Sequence, residues 1–289
     1  MVKNKYNSKK AAYKQNYDAW VESLNISDDW ISDPDMSRTQ ERRWDDKAEG
    51  FSEKPMPTKE DSLFLRTLLE RAEPGPDTTV LDIGSGSGHY SIALAPHAGK
   101  ILGIDISGNM VGHANDLALR HGANNVSFIQ KDWSAMSSDD SIVKDGFDIV
   151  FAHMTPGVGD ADDFTRMIDA CNGHLFMTKP VRRCNPLAEG IWGLFDMDAP
   201  VMSSDKEMAY AFILGWQRGY NPEFFYERSE WEGIVTVEEA AKIYRDEFSY
   251  RGLEFDEDKV MDHLRSISDH GMVDNTTYTE KATIHWSFL

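Results

Sequence analysis

Apolar and polar segments alternate along this chain in a way that predicts an α/β fold from about residue 60 onward. Short apolar runs predict strands, and the amphipathic segments between them predict helices. The predicted strands are 79–84, 100–105, 126–130, 147–152 and 173–179, and the predicted helices are 88–96, 108–121 and 161–171. Such alternation favours right-handed βαβ units and therefore a parallel sheet with helices on both faces.

Capping residues support several of these predicted helices. Ser107 is a candidate N-cap for the helix over 108–121, and Gly122 is a candidate stop for it. An earlier helix that carries Leu63 and Leu68 should end before Pro74-Gly75-Pro76. These signals mark where helices begin and end, so they make the alternating pattern more specific.

The last hundred residues continue the pattern in a different order. We predict a helix over 205–218, a strand over 223–230, and a charged helix over 256–269. Another helix should begin after Thr236, because Glu239 follows at the spacing of a capping box. Residues 279–288 alternate apolar and polar side chains, which predicts a closing strand.

The first 58 residues form a separate, aromatic-rich segment. Tyr13, Tyr17 and Trp20 recur at helical spacing, which predicts a helix near 8–24. Asp33-Pro34-Asp35 should break that helix, a second one should span 37–49, and Pro55 and Pro57 should mark a hinge. We therefore predict two domains, a helical lid over 1–58 and the main domain over 59–289.

Composition narrows the classes of protein that fit. The 289 residues are 40% apolar and 27% charged, which is ordinary for a folded chain, and the formal net charge is −19. An acidic surface repels phosphate backbones, so we expect no nucleic-acid partner. With only two cysteines and no apolar run near the ~18 residues that span a membrane, we expect a cytoplasmic protein without a membrane partner.

The most specific motif lies where the first strand of the α/β pattern ends. Residues 80–88 read Val-Leu-Asp-Ile-Gly-Ser-Gly-Ser-Gly, which places an acid two residues before three glycines spaced two apart. A dinucleotide fingerprint would need glycine where the chain has His89. The motif instead resembles the first motif of class I S-adenosylmethionine (SAM) dependent methyltransferases. That resemblance implies a Rossmann-like, seven-stranded, mostly parallel sheet whose last strand inserts antiparallel between the fifth and the sixth.

The resemblance also implies a SAM site that follows the strand ends. The glycines would let the backbone approach the ligand, and Asp82 would face its ammonium group. Asp105 would accept the ribose hydroxyls, while Asp132 and Trp133 would contact the adenine. The candidate cofactor residues are Asp82, Gly84, Ser85, Gly86, Gly88, Asp105, Ile106, Met110, Asp132 and Trp133.

Residues after the fourth predicted strand should lie near the transferable methyl group. His153 is the candidate general base, although it would serve equally well to orient the acceptor. Displacement at a sulfonium has a good leaving group, so positioning alone can carry most of the catalysis. The chain lacks the Asn/Asp-Pro-Pro-aromatic motif of nucleic-acid amino-methyltransferases at this point, which argues against methylation of exocyclic base amines.

A second resemblance concerns the predicted lid. Trp44-Asp45-Asp46-Lys47-Ala48 and the later Phe51 resemble the Trp-Asp-x-x-Ala stretch that precedes the core of many small-molecule methyltransferases. Aromatic side chains there would cover a sulfonium and exclude water, whereas simple packing of a helix on the sheet is the competing interpretation. The candidate lid and substrate residues are Trp44, Phe51, His89, Tyr90, Thr155 and Lys179. For Lys179, contact with an anionic substrate competes with ordinary solvation.

The sequence thus predicts a SAM-dependent methyltransferase that acts on a small molecule. Two alternatives stay open at this stage: a non-catalytic SAM-binding regulator or scaffold, and an NAD-dependent oxidoreductase, which His89 disfavours. We expect no metal site, because His153, Cys171, His174 and Cys184 match no recognised ligand spacing. The acceptor atom stays open among oxygen, nitrogen, carbon and sulfur, and the chain is compatible with a homodimer.

Overall fold

A computed structural model describes residues 30, 36–200, 203–231 and 233–288. The predicted helix near 8–24, with Tyr13, Tyr17 and Trp20, lies outside the described residues, as does the predicted break at 33–35. The helical part that follows consists of α1 (Met36–Asp45), α2 (Ala48–Ser52) and α3 (Leu63–Ala72). A turn at residues 46–47 separates α1 from α2, so the single helix predicted over 37–49 is wrong in that detail.

Nine strands follow in the part of the chain that the structure describes. They are β1 (Thr79–Ile83), β2 (Lys100–Asp105), β3 (Val126–Gln130), β4 (Phe147–His153), β5 (Cys171–Cys184), β6 (Glu223–Trp231), β7 (Ile234–Thr236), β8 (Met272–Asp274) and β9 (Thr277–Ser287). Seven of them form one sheet in the order β3-β2-β1-β4-β5-β9-β6, and β7 pairs with β8 separately. The predicted seven strands, with the last one between the fifth and the sixth, are confirmed in this order.

Helices separate the strands as the alternating pattern predicts. They are α4 (His89–Leu94), α5 (Gly108–His121), α6 (Ser141–Asp145), α7 (Ala161–Asp169), α8 (Pro186–Gly193), α9 (Asp205–Gln217), α10 (Val237–Tyr250) and α11 (Glu257–Ile267). Ser107 caps α5 by accepting from the Met110 N–H, and Gly122 ends that helix in the left-handed conformation. The predicted capping box of Thr236 and Glu239 is present at the start of α10.

Parallel pairing brings the ends of the central strands together. β1 pairs with β2 and β4, β2 pairs with β3, and β4 pairs with β5, all in parallel. The carboxyl ends of β1, β2, β3 and β4 therefore meet at one edge of the sheet, which is where ligands bind in open α/β sheets. Asp82 pairs with Gly103 and Ile83 with Ile104, so the β1 and β2 loops begin side by side.

The chain divides into two compact units. The first comprises Met1–Lys179, Lys206–Phe225 and Thr283–Leu289, and the second comprises Pro180–Asp205 and Tyr226–Ala282. In the first unit, Phe64 and Leu68 of α3 belong to one buried cluster with Phe151 of β4 and Phe176 of β5, and the Phe64 ring contacts both of these rings. Burial of such large apolar side chains contributes roughly 1.5–3 kcal/mol each to folding.

The second unit has its own core. Trp192 of α8, Tyr244 and Phe248 of α10, and Leu264 of α11 belong to one buried cluster. Hydrogen bonds join elements of this unit: the Asn275 side-chain oxygen accepts from the Tyr244 hydroxyl at 2.8 Å and from the Asn185 amide at 2.9 Å. The predicted boundary between the lid and the main domain at residue 58 stays a prediction.

Candidate functional site

The three glycines that follow β1 have different surroundings. All adopt positive φ, with values of 69° at Gly84, 53° at Gly86 and 82° at Gly88. An added Cβ at Gly84 would lie 2.0 Å from Thr155 Oγ1, and one at Gly88 would lie 2.5 Å from Phe128 Cζ. At Gly86 the nearest atom to such a Cβ is the Met110 sulfur at 4.0 Å. Gly84 and Gly88 therefore allow close packing, whereas an added Cβ at Gly86 would point into nearly open space.

Asp105 lies at the carboxyl end of β2, directly beside the glycine loop. The Gly86 N–H donates to its Oδ2 at 2.8 Å, and the Ser107 N–H donates to its Oδ1 at 2.9 Å. Burial raises the pKa of this carboxyl group, and the two N–H donors oppose the increase. Each carboxylate oxygen keeps further lone-pair capacity, so Asp105 can still accept hydroxyl groups of a ligand.

Two further polar groups lie at the loop. The Ser85 hydroxyl oxygen is buried and has no hydrogen-bond partner among the described residues. Asp82 is 3% exposed and accepts from the Ser91 hydroxyl at 2.7 Å. Burial raises the pKa of Asp82 to about 7, because the charged form loses hydration. A cation beside Asp82 would reverse that increase, so the site favours a positively charged ligand group.

The residues predicted to contact the adenine differ from one another in burial and in hydrogen bonding. Met110 is buried, Ile106 is half-buried, and Asp132 accepts from the Ser134 N–H and hydroxyl at 3.0 and 2.7 Å. Trp133 is 3% exposed, and its indole N–H donates to the Asp163 carbonyl at 3.1 Å. The indole is therefore anchored in the protein interior, and Asp132 remains the more accessible member of the pair.

His153 at the end of β4 belongs to an aromatic cluster. Its ring lies 4.5 Å from Phe64 and 4.1 Å from Tyr90, and the Tyr90 hydroxyl is 3.3 Å from the Ser62 hydroxyl. These contacts orient the imidazole, and Met154 follows it with a φ of 54°. The sequence analysis did not identify Phe64 and Ser62 as neighbours of the site, because a capping serine followed by apolar side chains is an ordinary helix start.

Lys179 is buried rather than solvated, so the expectation of a solvated lysine is wrong. Its ammonium donates to the carbonyl oxygens of Thr155 at 2.8 Å and Val158 at 2.7 Å. Burial lowers the Lys179 pKa to about 8. The side chain braces the loop after β4, and Thr155 in turn packs against Gly84. Thr155 is therefore a contact of the glycine loop.

Residues 36–54, here called the cover segment, contact both the glycine loop and the start of α5. The Ser87 hydroxyl donates to the Phe51 carbonyl at 3.1 Å, and His89 Nε2 lies 2.8 Å from the Lys54 carbonyl. Asp45 accepts from the Ser107 hydroxyl and the Asn109 N–H. His89 therefore joins the loop to the cover segment, a contact that the motif alone did not indicate.

The cover segment also carries the predicted lid aromatics. The rings of Trp44 and Phe51 meet edge to face at 5.7 Å, and the Lys54 ammonium lies 3.6 Å from the Phe51 ring centre. Both aromatic residues are half-buried. The structure thus brings Trp44 and Phe51 together next to the loop, and their part in covering a ligand stays a prediction.

The central segment of the chain is similar to known proteins. Residues 74–184 match the family model described as a methyltransferase domain. A segment of 86 residues is 34% identical to the uncharacterized methyltransferase YcgJ of Bacillus subtilis, over 30% of this chain and 32% of that relative. A segment of 87 residues is 35% identical to the 23S rRNA (uracil(1939)-C(5))-methyltransferase RlmD of Aeromonas hydrophila, over 30% of this chain and 20% of that relative. The chain therefore spans about a third or less of these curated relatives.

A solved structure resembles a larger part of the chain. It is a SAM-dependent methyltransferase from Thiobacillus denitrificans in complex with S-adenosylhomocysteine, with 18% identity and a TM-score of 0.45. The similarity covers 82% of this chain and 96% of that one. Separately, none of the described helices combines the length and the apolar character that crossing a membrane requires.

Proposed function

We propose that this protein, whose residues 74–184 match the family model of a methyltransferase domain, transfers the methyl group of SAM to a small-molecule acceptor. The observation that carries the proposal is the loop after β1, where the space that a Cβ of Gly86 would enter is nearly empty. The adjacent Ser85 hydroxyl has no hydrogen-bond partner among the described residues, and the Asp105 carboxylate, which accepts from the Gly86 N–H, keeps capacity for further hydrogen bonds. This donor and acceptor set fits an amino-acid tail and a ribose.

SAM would supply an electrophilic methyl group on a sulfonium. In this chain, Asp82 would hold the ammonium of the ligand, Asp105 its ribose hydroxyls, and Met110 and Asp132 its base. The cover segment would exclude water through Trp44 and Phe51, whose rings also favour a nearby cation. His153, held by Phe64 and Tyr90, would orient the acceptor or take its proton.

The net charge of −19 supports a small acceptor over a nucleic acid. A protein that binds RNA along its backbone needs cations to replace the counterions of the phosphates. The likeness to RlmD is limited to about a third of this chain. The loop after β4, His153-Met154-Thr155-Pro156, also lacks the motif that binds exocyclic base amines. A cytoplasmic location and a homodimer stay predictions of the sequence.

Calorimetry tests the cofactor. SAM and S-adenosylhomocysteine should bind with micromolar affinity, whereas NAD should not bind. Tight binding of NAD, or no binding of either SAM compound, would contradict the proposal.

Transfer tests the acceptor. The protein is incubated with methyl-labelled SAM and either a small-molecule extract or total RNA. Label should enter the small-molecule fraction, where mass spectrometry identifies the product. Label in RNA would make the acceptor assignment wrong, and binding of SAM without transfer to either fraction would favour the scaffold.

A further inference from the structure

Lys179, which in β5 directly follows the partner of His153, has one ammonium proton without an acceptor among the described hydrogen bonds. Its ammonium carries three protons, and the carbonyls of Thr155 and Val158 account for two of them. The carboxylates that act electrostatically on it are Glu207 and Asp163. Asp163 is already engaged, since it accepts from the Gly159 N–H at 3.0 Å and from Arg166 at 2.9 Å. Glu207 is therefore the carboxylate left to share a ligand with Lys179.

Glu207 lies in the first turn of α9 and is incompletely satisfied. Its Oε2 is buried and has no hydrogen-bond partner among the described residues. Within the part of the chain that the structure describes, no direct salt bridge joins Glu207 to Lys179, although the Glu207 carboxylate acts electrostatically on the Lys179 ammonium. A buried carboxylate oxygen without a donor costs about 1–3 kcal/mol or more, so such a group marks a place where a ligand donates.

Aromatic side chains lie on the same face of α9 as Glu207 and next to it. Trp30 lies 5.7 Å from Phe164 of α7 and 6.1 Å from Tyr210 of α9, and its carbonyl accepts from the Ala161 N–H. Glu207 and Tyr210 are three residues apart on α9, so they project from the same face of that helix. The indole N–H of Trp30 is also buried, and no described group accepts from it.

We propose that the methyl acceptor is a planar hydroxyl compound, a phenol or an enol, whose hydroxyl group binds between Glu207 and Lys179 while its ring lies against Trp30 and Tyr210. A hydroxyl satisfies both partners, because it donates to the carboxylate and accepts from the ammonium. An aliphatic ammonium would be repelled by Lys179, and a carboxylate would be repelled by Glu207. This inference rests on the proposed function, since it names the acceptor of the same site.

The transfer step follows from this placement. The O–H bond of the acceptor breaks and its proton goes to the Glu207 carboxylate, while the Lys179 ammonium stabilises the oxygen that becomes negative. An oxygen lone pair forms the new O–CH₃ bond, and the electrons of the broken S–CH₃ bond stay on sulfur. The products are a methyl ether, S-adenosylhomocysteine and one proton, which Glu207 returns to solvent. His153 then keeps the orienting role.

Binding of 4-nitrophenol tests the proposal without knowledge of the natural acceptor. Its absorbance distinguishes the phenol from the phenolate, so a titration below neutral pH reports both affinity and proton transfer. In the wild-type protein with S-adenosylhomocysteine present, binding should be saturable and should increase the phenolate absorbance. Glu207→Gln should weaken binding about 10- to 100-fold and abolish that increase, since a hydrogen bond to a charged group is lost.

Matched controls separate a lost contact from a damaged fold. Glu230→Gln changes an exposed glutamate of β6 and should leave the titration unchanged. Lys179→Met should also abolish the phenolate signal; because it removes the brace of the β4 loop, the affinity for S-adenosylhomocysteine is measured in parallel. Glu207→Gln should leave that affinity unchanged.

The outcomes distinguish the two proposals. If S-adenosylhomocysteine binds but 4-nitrophenol does not, or binds equally well to Glu207→Gln, the acceptor inference is wrong and the methyltransferase proposal stands. If S-adenosylhomocysteine fails to bind, the methyltransferase proposal is wrong. The titration of 4-nitrophenol without it then still decides whether Glu207 and Lys179 bind a hydroxyl compound.

Discussion

Asp82 and Asp105 illustrate how two carboxyl groups at neighbouring strand ends acquire different properties. Asp82 receives one hydrogen bond, from Ser91, and burial raises its pKa to about 7. Asp105 receives two backbone hydrogen bonds, which hold its carboxylate in a fixed orientation. The difference in hydrogen bonding suits Asp82 to a charged ligand group and Asp105 to neutral hydroxyls.

Replacement of Asp105 tests the ribose assignment. Asp105→Ala should weaken binding of S-adenosylhomocysteine about 10- to 100-fold, because the ligand hydroxyls lose a charged acceptor. Calorimetry gives the affinity, and a thermal melt verifies that the variant is folded. Asp116→Ala, at an exposed position of α5, is the control. Normal affinity of Asp105→Ala would show that the ribose binds elsewhere.

The raised pKa of Asp82 predicts a pH dependence of cofactor binding. As the pH falls below about 7, Asp82 becomes neutral and loses its attraction for the ligand ammonium. Affinity for S-adenosylhomocysteine should therefore fall by up to about tenfold per pH unit below neutrality. The folding stability of the unliganded protein should depend on pH in the opposite direction. A raised carboxyl pKa contributes stability at low pH, and that contribution is lost as the pH rises through 7. Calorimetry of Asp82→Asn over the same pH range should give a nearly constant affinity.

Among the elements, the glycine loop shows how far a motif predicts a structure. The sequence identified the three glycines and the turn, which depend on local conformation. It did not identify Thr155 and Phe128 as the side chains that require glycine at two of these positions. Those contacts depend on how β3 and the loop after β4 pack against the glycine loop, so they could not be predicted from the sequence of the glycine loop alone.

A pair of glycine variants separates backbone strain from close packing. Gly122 has a φ of 66° and an added Cβ would meet nothing within 4 Å, whereas at Gly88 it would meet Phe128 and Ala114. Gly122→Ala should cost about 1–2 kcal/mol of unfolding free energy from strain alone. Gly88→Ala should cost about 1–3 kcal/mol more because of the overlap. Urea unfolding measures both, and equal losses would contradict the packing role.

Three of the elements that the sequence analysis missed share a physical cause. β7 and β8 have three residues each and α6 has five, so none completes enough of its period to produce a pattern. α10, in contrast, was predicted to begin after Thr236, because its capping box acts within four residues of chain. Elements that carry a local sequence signal could therefore be predicted, whereas short elements stabilised by partners distant in sequence could not.

At the scale of the molecule, one polar chain joins three strands and a helix of the first unit. His174 Nδ1 of β5 lies 3.0 Å from His285 Nε2 of β9, and His285 Nδ1 lies 3.2 Å from Glu223 of β6. Glu223 also pairs with Arg71 of α3 at 3.0 Å. With both imidazoles neutral, His285 donates to Glu223 and accepts from His174. Neither histidine could have been paired from the sequence, since β5 and β9 are neighbours only in the folded sheet.

This chain of residues predicts acid sensitivity. Burial lowers the pKa of both histidines from 6.5, and the nearby Arg71 adds to the decrease at His285, while Glu223 opposes it. Because these two sites bind more protons in the unfolded chain, their contribution to stability should fall as the pH falls through 6.5, by up to about 1.4 kcal/mol per pH unit for each histidine and opposite in sign to the contribution of Asp82. Urea unfolding between about pH 7.5 and 5.5 measures the slope. His174→Gln should reduce it, and His270→Gln, at a side chain that is 96% exposed, should not.

The two tethers between the glycine loop and the cover segment end on main-chain carbonyls, those of Phe51 and Lys54. Every residue has a main-chain carbonyl oxygen, so these two hydrogen bonds can persist when either side chain is substituted. Evolution is then free to vary the side chains at positions 51 and 54 without loss of these two hydrogen bonds. Variants randomised at position 54 should therefore retain the affinity for S-adenosylhomocysteine, whereas replacement of the Phe51 ring should weaken the binding of SAM, whose sulfonium that ring would face.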